Sequence, residues 1–210
     1  MNKTAAMDNQ QNPYMILHRN TRSENWNAEA IMRAIKEDSY FAKNEEIRRK
    51  AWDVIGGRLA FSVGEEPDSV KLTLDYIGNR ELLYAYERVS LICHRADEPF
   101  FAQQAETVLD AARHGCVVVS AFISKKEREI KGMLVKESLP IIEVMDNGFA
   151  PQYHPYGDAY DACMAGRMVQ ISPWTFCPQS ECKLTREICL VMNELVRVIS
   201  KAPDNWWKRE

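Results

Sequence analysis

The chain has 210 residues, with 27 Lys+Arg against 30 Asp+Glu and a formal net charge of −3. That balance excludes a globally basic nucleic-acid binder whose affinity comes from bulk charge. Apolar residues make up 46% and charged residues 27%, the proportions of a folded domain and not of a disordered chain.

Met1 to Pro13 is polar and has no apolar centre, so residues 1–13 read as a disordered tail and not as a secretory signal. Asn25 to Lys36 carries Trp26, Ala30, Ile31, Ala34 and Ile35 at helical spacing. Asn44 to Ile55 carries Ile47, Ala51, Trp52, Val54 and Ile55 and stops at Gly56-Gly57. These patterns predict a helical extension over residues 14–66, with Gly64-Glu65-Glu66-Pro67-Asp68 as a linker into a domain over 67–210. Val70, Leu72 and Leu74 alternate with polar residues, the mark of a short half-exposed strand.

From Arg88 onward, strands and helices alternate. Predicted strands are Val89–Cys93, Cys116–Ser120, Pro140–Met145 and Arg167–Ser172. Predicted helices are Pro99–Arg113, Ser124–Glu137, Asp158–Ala165 and Thr185–Ser200. Strands apolar on both sides, separated by helices, imply a parallel sheet covered on both faces. The predicted fold class is therefore α/β: a three-layer α/β/α Rossmann-like domain with a mostly parallel sheet of four to five strands and an N-terminal helical extension. In such sheets ligands sit beyond the carboxyl ends of the strands. Those ends are Cys93-His94-Arg95, Ser120 to Ser124, Asp146-Asn147-Gly148-Phe149 and Ser172-Pro173-Trp174.

These strand-end segments, in this order, resemble the Rossmann-like domain of the DNA-processing protein A family, from about Tyr76 to Ile199. Leu91-Ile92-Cys93-His94-Arg95 stands where that family has a strand ending in a small residue and Arg. Gly115 to Phe122 stands where it has a Gly, a Val-rich strand and Ser-Gly. Pro140 to Gly148 and Ala165 to Pro173 match its later strands and turns, and Met192-Asn193 falls on its Arg-Asn pair. The family's glycine-rich loop is replaced here by Ala121-Phe122-Ile123-Ser124-Lys125-Lys126-Glu127, in a chain with only 9 glycines. The resemblance implies non-catalytic binding of single-stranded nucleic acid or a nucleotide phosphate, with no cofactor. Candidate contacts are His94, Arg95, Ser120, Ser124, Lys125, Lys126, Asn147 and Asn193.

Residue chemistry bears on each candidate. Ser124 and Glu127 fit a capping box, yet Lys125 and Lys126 then crowd the positive end of the helix dipole, which a bound anion would offset. The alternative is two solvated lysines beside Glu127 and Glu129. Arg95 can grip phosphate, or it can pair with Asp97 or Glu98. Asn193 shares a helix face with Arg186 and Arg197, or with Glu187 and Glu194. Cys177, Cys182 and Cys189 lack the close spacing of a zinc site. Trp206 and Trp207 beside Lys208 and Arg209 either stack on bases or cover a sheet edge.

Two rival functions stay open. The first is a nucleotide-hydrolysing enzyme similar to the phosphoribohydrolases (lysine-decarboxylase-like proteins), although their Pro-Gly-Gly-x-Gly-Thr-x-x-Glu segment is not in this chain. The second is a protein-interaction module that has lost its ligand site. A homodimer is a further expected partnership. The six cysteines are expected as free thiols in a reducing cytoplasm.

Overall fold

A computed structural model describes Tyr14, residues 23–27, Arg33, 37–38, 45–59, 61–63, 70–178 and 180–208. The predicted tail over 1–13 and the linker over 64–68 lie outside the described residues. The amino-terminal part contains strand β1 (Ser23–Asn27), helix α1 (Glu45–Gly56), β2 (Phe61–Val63) and β3 (Val70–Thr73). The three strands pair antiparallel in the order β1-β3-β2. The structure corrects one expectation here, because Asn25, Trp26 and Asn27 belong to β1 and not to a helix. Pairing with β3, far along the chain, overrides the local periodicity.

The second sheet has five strands in the order β4-β8-β7-β6-β5. They are β4 (Asp75–Gly78), β5 (Arg88–Ser90), β6 (Val117–Ser120), β7 (Ile141–Val144) and β8 (Met168–Ser172). β5 to β8 run parallel, as their both-sided apolar character predicts, and β6 is parallel to both neighbours. β4 closes the far edge antiparallel to β8, so the sheet is mixed. Gly78, at φ +107, permits that edge, since a Cβ there would strike the Met168 carbonyl oxygen.

The helices between the parallel strands are α2 (Phe101–Arg113), α3 (Lys125–Lys136) and α4 (Asp158–Met164), and α5 (Arg186–Ser200) follows β8. Strand side chains alternate between two cores. Val118, Ile141 and Met168 pack with Val108, Ile130, Leu134 and Cys163 of α2, α3 and α4. Val119, Ile142, Val144 and Ile171 pack with Ile188, Val191, Leu195 and Ile199 of α5 and with Ile55 of α1. Strand order rises steadily from β5 to β8, so all three crossovers share one core. A reversal in strand order, the usual place for a ligand crevice in open sheets, does not occur among these four strands.

The free-thiol expectation is also corrected. Cys177 and Cys182 form a disulfide, with Cα atoms 6.0 Å apart, inside the bridging range. Cys93, Cys116, Cys163 and Cys189 are free. The cytoplasmic expectation therefore loses its premise of six free thiols. Among the described residues no helix is long and apolar enough to cross a membrane.

Candidate functional site

β5 is an edge strand. Its chain continues through Leu91, whose amide still donates to Val119, and leaves the sheet at Cys93. A 3-10 turn over Arg95–Phe100 then leads into α2. Beside this exit α3 begins. Between them lies an open cleft of about 130 Å³, lined by Cys93, His94, Arg95, Asp97, Glu98, Phe101, Gln104, Ser124 and Lys126.

One buried carboxylate ties the strand exit to the helix start. Ser124 caps α3, its hydroxyl accepting from the Glu127 amide at 3.1 Å, while Glu127 accepts from the Ser124 amide at 3.0 Å. The other oxygen of Glu127 accepts from the Cys93 amide at 2.9 Å. Glu127 thus takes the Ser124 and Cys93 backbone N–H groups, so neither of these is open to an anion. At the opening an anion meets the cations of the rim.

The rim is mixed in sign. Arg95 is exposed, and Lys126 lies 4.1 Å from the centre of the Phe101 ring. Asp97 is buried and pairs with Lys208 at 2.9 Å. His94 Nε2 lies 2.8 Å from Asp204 Oδ2, and Asp204 also receives two Arg197 N–H groups at 2.8 Å. The Asp204 contact raises His94 above the ordinary histidine value. Burial alone would raise Asp204, but hydrogen bonds from His94 and Arg197 overcome it and hold the carboxyl well below the usual range.

Cys93 is a part-buried free thiol at the strand exit. Burial, with Glu127 and Asp97 nearby, pushes its thiol up to about 12. The thiol donates to Gln104 Oε1 at 3.3 Å, and Gln104 in turn donates to the Ile92 carbonyl at 3.1 Å.

Of the eight candidates, the structure gathers His94, Arg95, Ser124 and Lys126 at the cleft. Lys125 is exposed on the first turn of α3, outside the lining. Ser120 is buried and structural, its hydroxyl donating to the Leu91 carbonyl at 2.8 Å and accepting from the Phe122 amide at 3.0 Å. That pair steers the chain through Phe122 at φ 47, a left-handed position that favours glycine. Asn147 stands at the other side of the sheet and ties its own loop together. Its oxygen accepts from Arg58 at 2.9 Å and from the Cys177 amide at 3.1 Å, and its amide donates to the Cys177 carbonyl at 2.6 Å. Asn193 sits about 10 Å along α5 from its start, away from the strand ends. The cations expected beside it are committed, Arg186 to Asp38 at 2.8 Å and Arg197 to Glu194 at 2.9 Å.

Cys93, Asp97, Glu98, Phe101 and Gln104 complete the lining, Glu127, Asp204 and Lys208 bond to lining residues, and none of these was among the candidates. Glu127 carried a sequence signal in its capping spacing. Asp204 and Lys208 carried none, because the cleft residues they meet, His94 and Asp97, lie more than a hundred residues away. Trp206 covers the sheet edge, its indole N–H donating to the Ser90 carbonyl at 2.7 Å, and Trp207 is buried.

A second polar group lies between α3 and the ends of β7 and β8. Lys131 pairs with buried Glu143, which accepts from Gln170 at 2.8 Å, and Gln170 accepts from the Tyr153 hydroxyl at 2.8 Å. It is closed on itself. Among the described residues no three His, Cys, Asp or Glu side chains are grouped to hold a metal ion. Compared with known proteins, the chain matches no family model, no curated relative and no solved structure.

Proposed function

We propose that this chain is a non-catalytic binding module built on a Rossmann-like, three-layer α/β/α domain akin to that of the DNA-processing protein A family. Its ligand is a phosphate group of a single-stranded nucleic acid or nucleotide, taken at the cleft rim by Arg95 and Lys126. The observation that carries this reading is the convergence of those two cations, from different elements, on one opening at the carboxyl end of β5. The protonated Cys93 thiol supports a role without nucleophilic chemistry.

Glu127 favours the second reading, an interaction module without a phosphate site, because its carboxylate already takes the Ser124 and Cys93 amides beside the cleft. Filter binding of oligo-dT at low salt separates the two. Binding should be weak, with a shallow salt slope of roughly −0.7 per phosphate neutralised. Arg95→Ala and Lys126→Ala should each weaken it, and the pair should be non-additive because they share one partner. Lys136→Ala, at the opposite end of α3, removes the same charge and should change little. Equal losses for all three variants mean diffuse electrostatics. No binding by the unaltered chain leaves the interaction reading. Release of free base from nucleoside monophosphates would replace both with the hydrolase alternative.

A further inference from the structure

α5 ends at Lys201, which takes a left-handed conformation at φ 57, and the chain turns back over the sheet. Residues 201–208 then run along the outer side of β5. The Pro203 carbonyl accepts from the Ser90 hydroxyl at 3.4 Å, and the Trp206 indole donates to the Ser90 carbonyl. An exposed strand edge calls for a cover, and this strap provides it without being a strand. Its charged side chains reach the cleft. Asp204 meets His94, and Lys208 meets Asp97.

Asp97 is the decisive group. It is buried, it lines the cleft, and it stands two residues from Arg95 on the same 3-10 turn. A carboxylate in that position takes a cation, since an uncompensated buried charge is costly. The strap supplies Lys208. Without it, the basic side chains of the lining are His94, Arg95 and Lys126, and the last two are those that an incoming anion needs. We infer that the carboxyl-terminal strap is a switch for the cleft: seated, Lys208 occupies Asp97 and leaves Arg95 and Lys126 to an anionic ligand, and lifted, Asp97 takes one of them for itself. This rests on the anion reading of the cleft given above. The ligand class is unchanged, and what is added is its regulation by a segment that the ligand need not touch. Whatever draws the strap away, whether a partner protein or cleavage after α5, turns anion binding down.

A double-mutant cycle tests it, with oligo-dT at low salt as the probe and melting temperature as the check on folding. Lys208→Met should weaken binding roughly three- to fivefold, the scale of one partly exposed charge pair. Asp97→Asn should bind at least as tightly as the unaltered chain. In the Asp97→Asn background, Lys208→Met should change affinity by less than twofold, because the competitor is gone. Equal losses in both backgrounds would overturn the switch and make Lys208 a direct contact. Unchanged affinity for Lys208→Met, in a chain that does bind, would overturn it as well. If the unaltered chain binds no oligonucleotide, the anion reading fails and the switch falls with it. Should Lys208→Met fail to fold, the uncharged polar Lys208→Gln serves in its place.

Discussion

The two polar groups at the carboxyl ends of the strands solve the same problem in opposite ways. Around β7 and β8, Glu143, Lys131, Gln170 and Tyr153 satisfy one another, and the β7–α4 loop closes over them. Around β5, Glu127 and Asp97 are satisfied, but Arg95 and Lys126 line an open cleft. The difference follows from position. β7 has strands on both sides, so its polar residues meet partners across the sheet, as Glu143 meets Gln170. β5 is an edge, so its polar groups turn to the chain terminus for partners and surplus charge stays at the rim. A closed group is costly to break one partner at a time, and the rim cations face the opening.

The largest test of that contrast removes one member of the closed group. Lys131→Met leaves Glu143 buried without its cation and should cost about 3 kcal/mol, read by chemical denaturation. Replacing both, Lys131→Met with Glu143→Leu, should recover most of that loss. A drop no larger than that of Arg95→Ala would show that the two regions do not differ. Next in size is Ser120→Ala, which strips one acceptor and one donor from the bend at Phe122 and should cost about 1–2 kcal/mol. Its melting curve, set beside that of Ser124→Ala, compares an interior bend with an N-cap worth about 1 kcal/mol.

Smaller still is the pH effect at the open cleft. His94 is raised above its ordinary value by Asp204, so its folded value exceeds its unfolded one. The stability from that contact is fully present below the unfolded histidine value of about 6.5 and fades as pH rises through the folded value. His94→Gln should therefore lose less than about 1 kcal/mol at pH 5.5 and nothing at pH 9, because the ring is half-exposed. An equal loss at both pH values would mean that the contact matters by packing and not by charge. Smallest is Arg95→Ala, which should leave the melting temperature unchanged while weakening oligonucleotide binding. A clear fall in melting would return Arg95 to a structural pairing.

Much of the second sheet was legible because its information is local. Val117 to Ser120 is apolar on both faces and β-branched, and Ser124 with Glu127 marks the start of α3. Those features decide strand, helix and cap without reference to the rest of the chain. What was illegible depended on distant partners. β1 is a strand only because β3 pairs with it. Ser120 and Asn147 stand where a ligand residue would stand, and only the three-dimensional structure reveals that Leu91, Phe122, Arg58 and Cys177 already occupy them. The cleft was half legible. His94, Arg95, Ser124 and Lys126 came from strand-end logic, while Asp97's partner came from residue 208 and had no local signal.

The strand order also bears on how the molecule assembles. β5, β6, β7 and β8 are neighbours in space in the order in which they are neighbours in sequence, so each pairs with the strand made just before it. Contacts of short sequence separation form early, and long closures follow. Both edges of this sheet are closed late. β4 must wait for β8, roughly ninety residues on, and β5 stays open until Trp206 arrives from the end of the chain. During synthesis the half-built sheet therefore presents bare edges to its surroundings, and the last eight described residues end that exposure. Pulse-labelled amide exchange should show Val117 and Val118 protected before Trp206, whose amide donates to the Pro203 carbonyl, and the reverse order would refute this sequence of events.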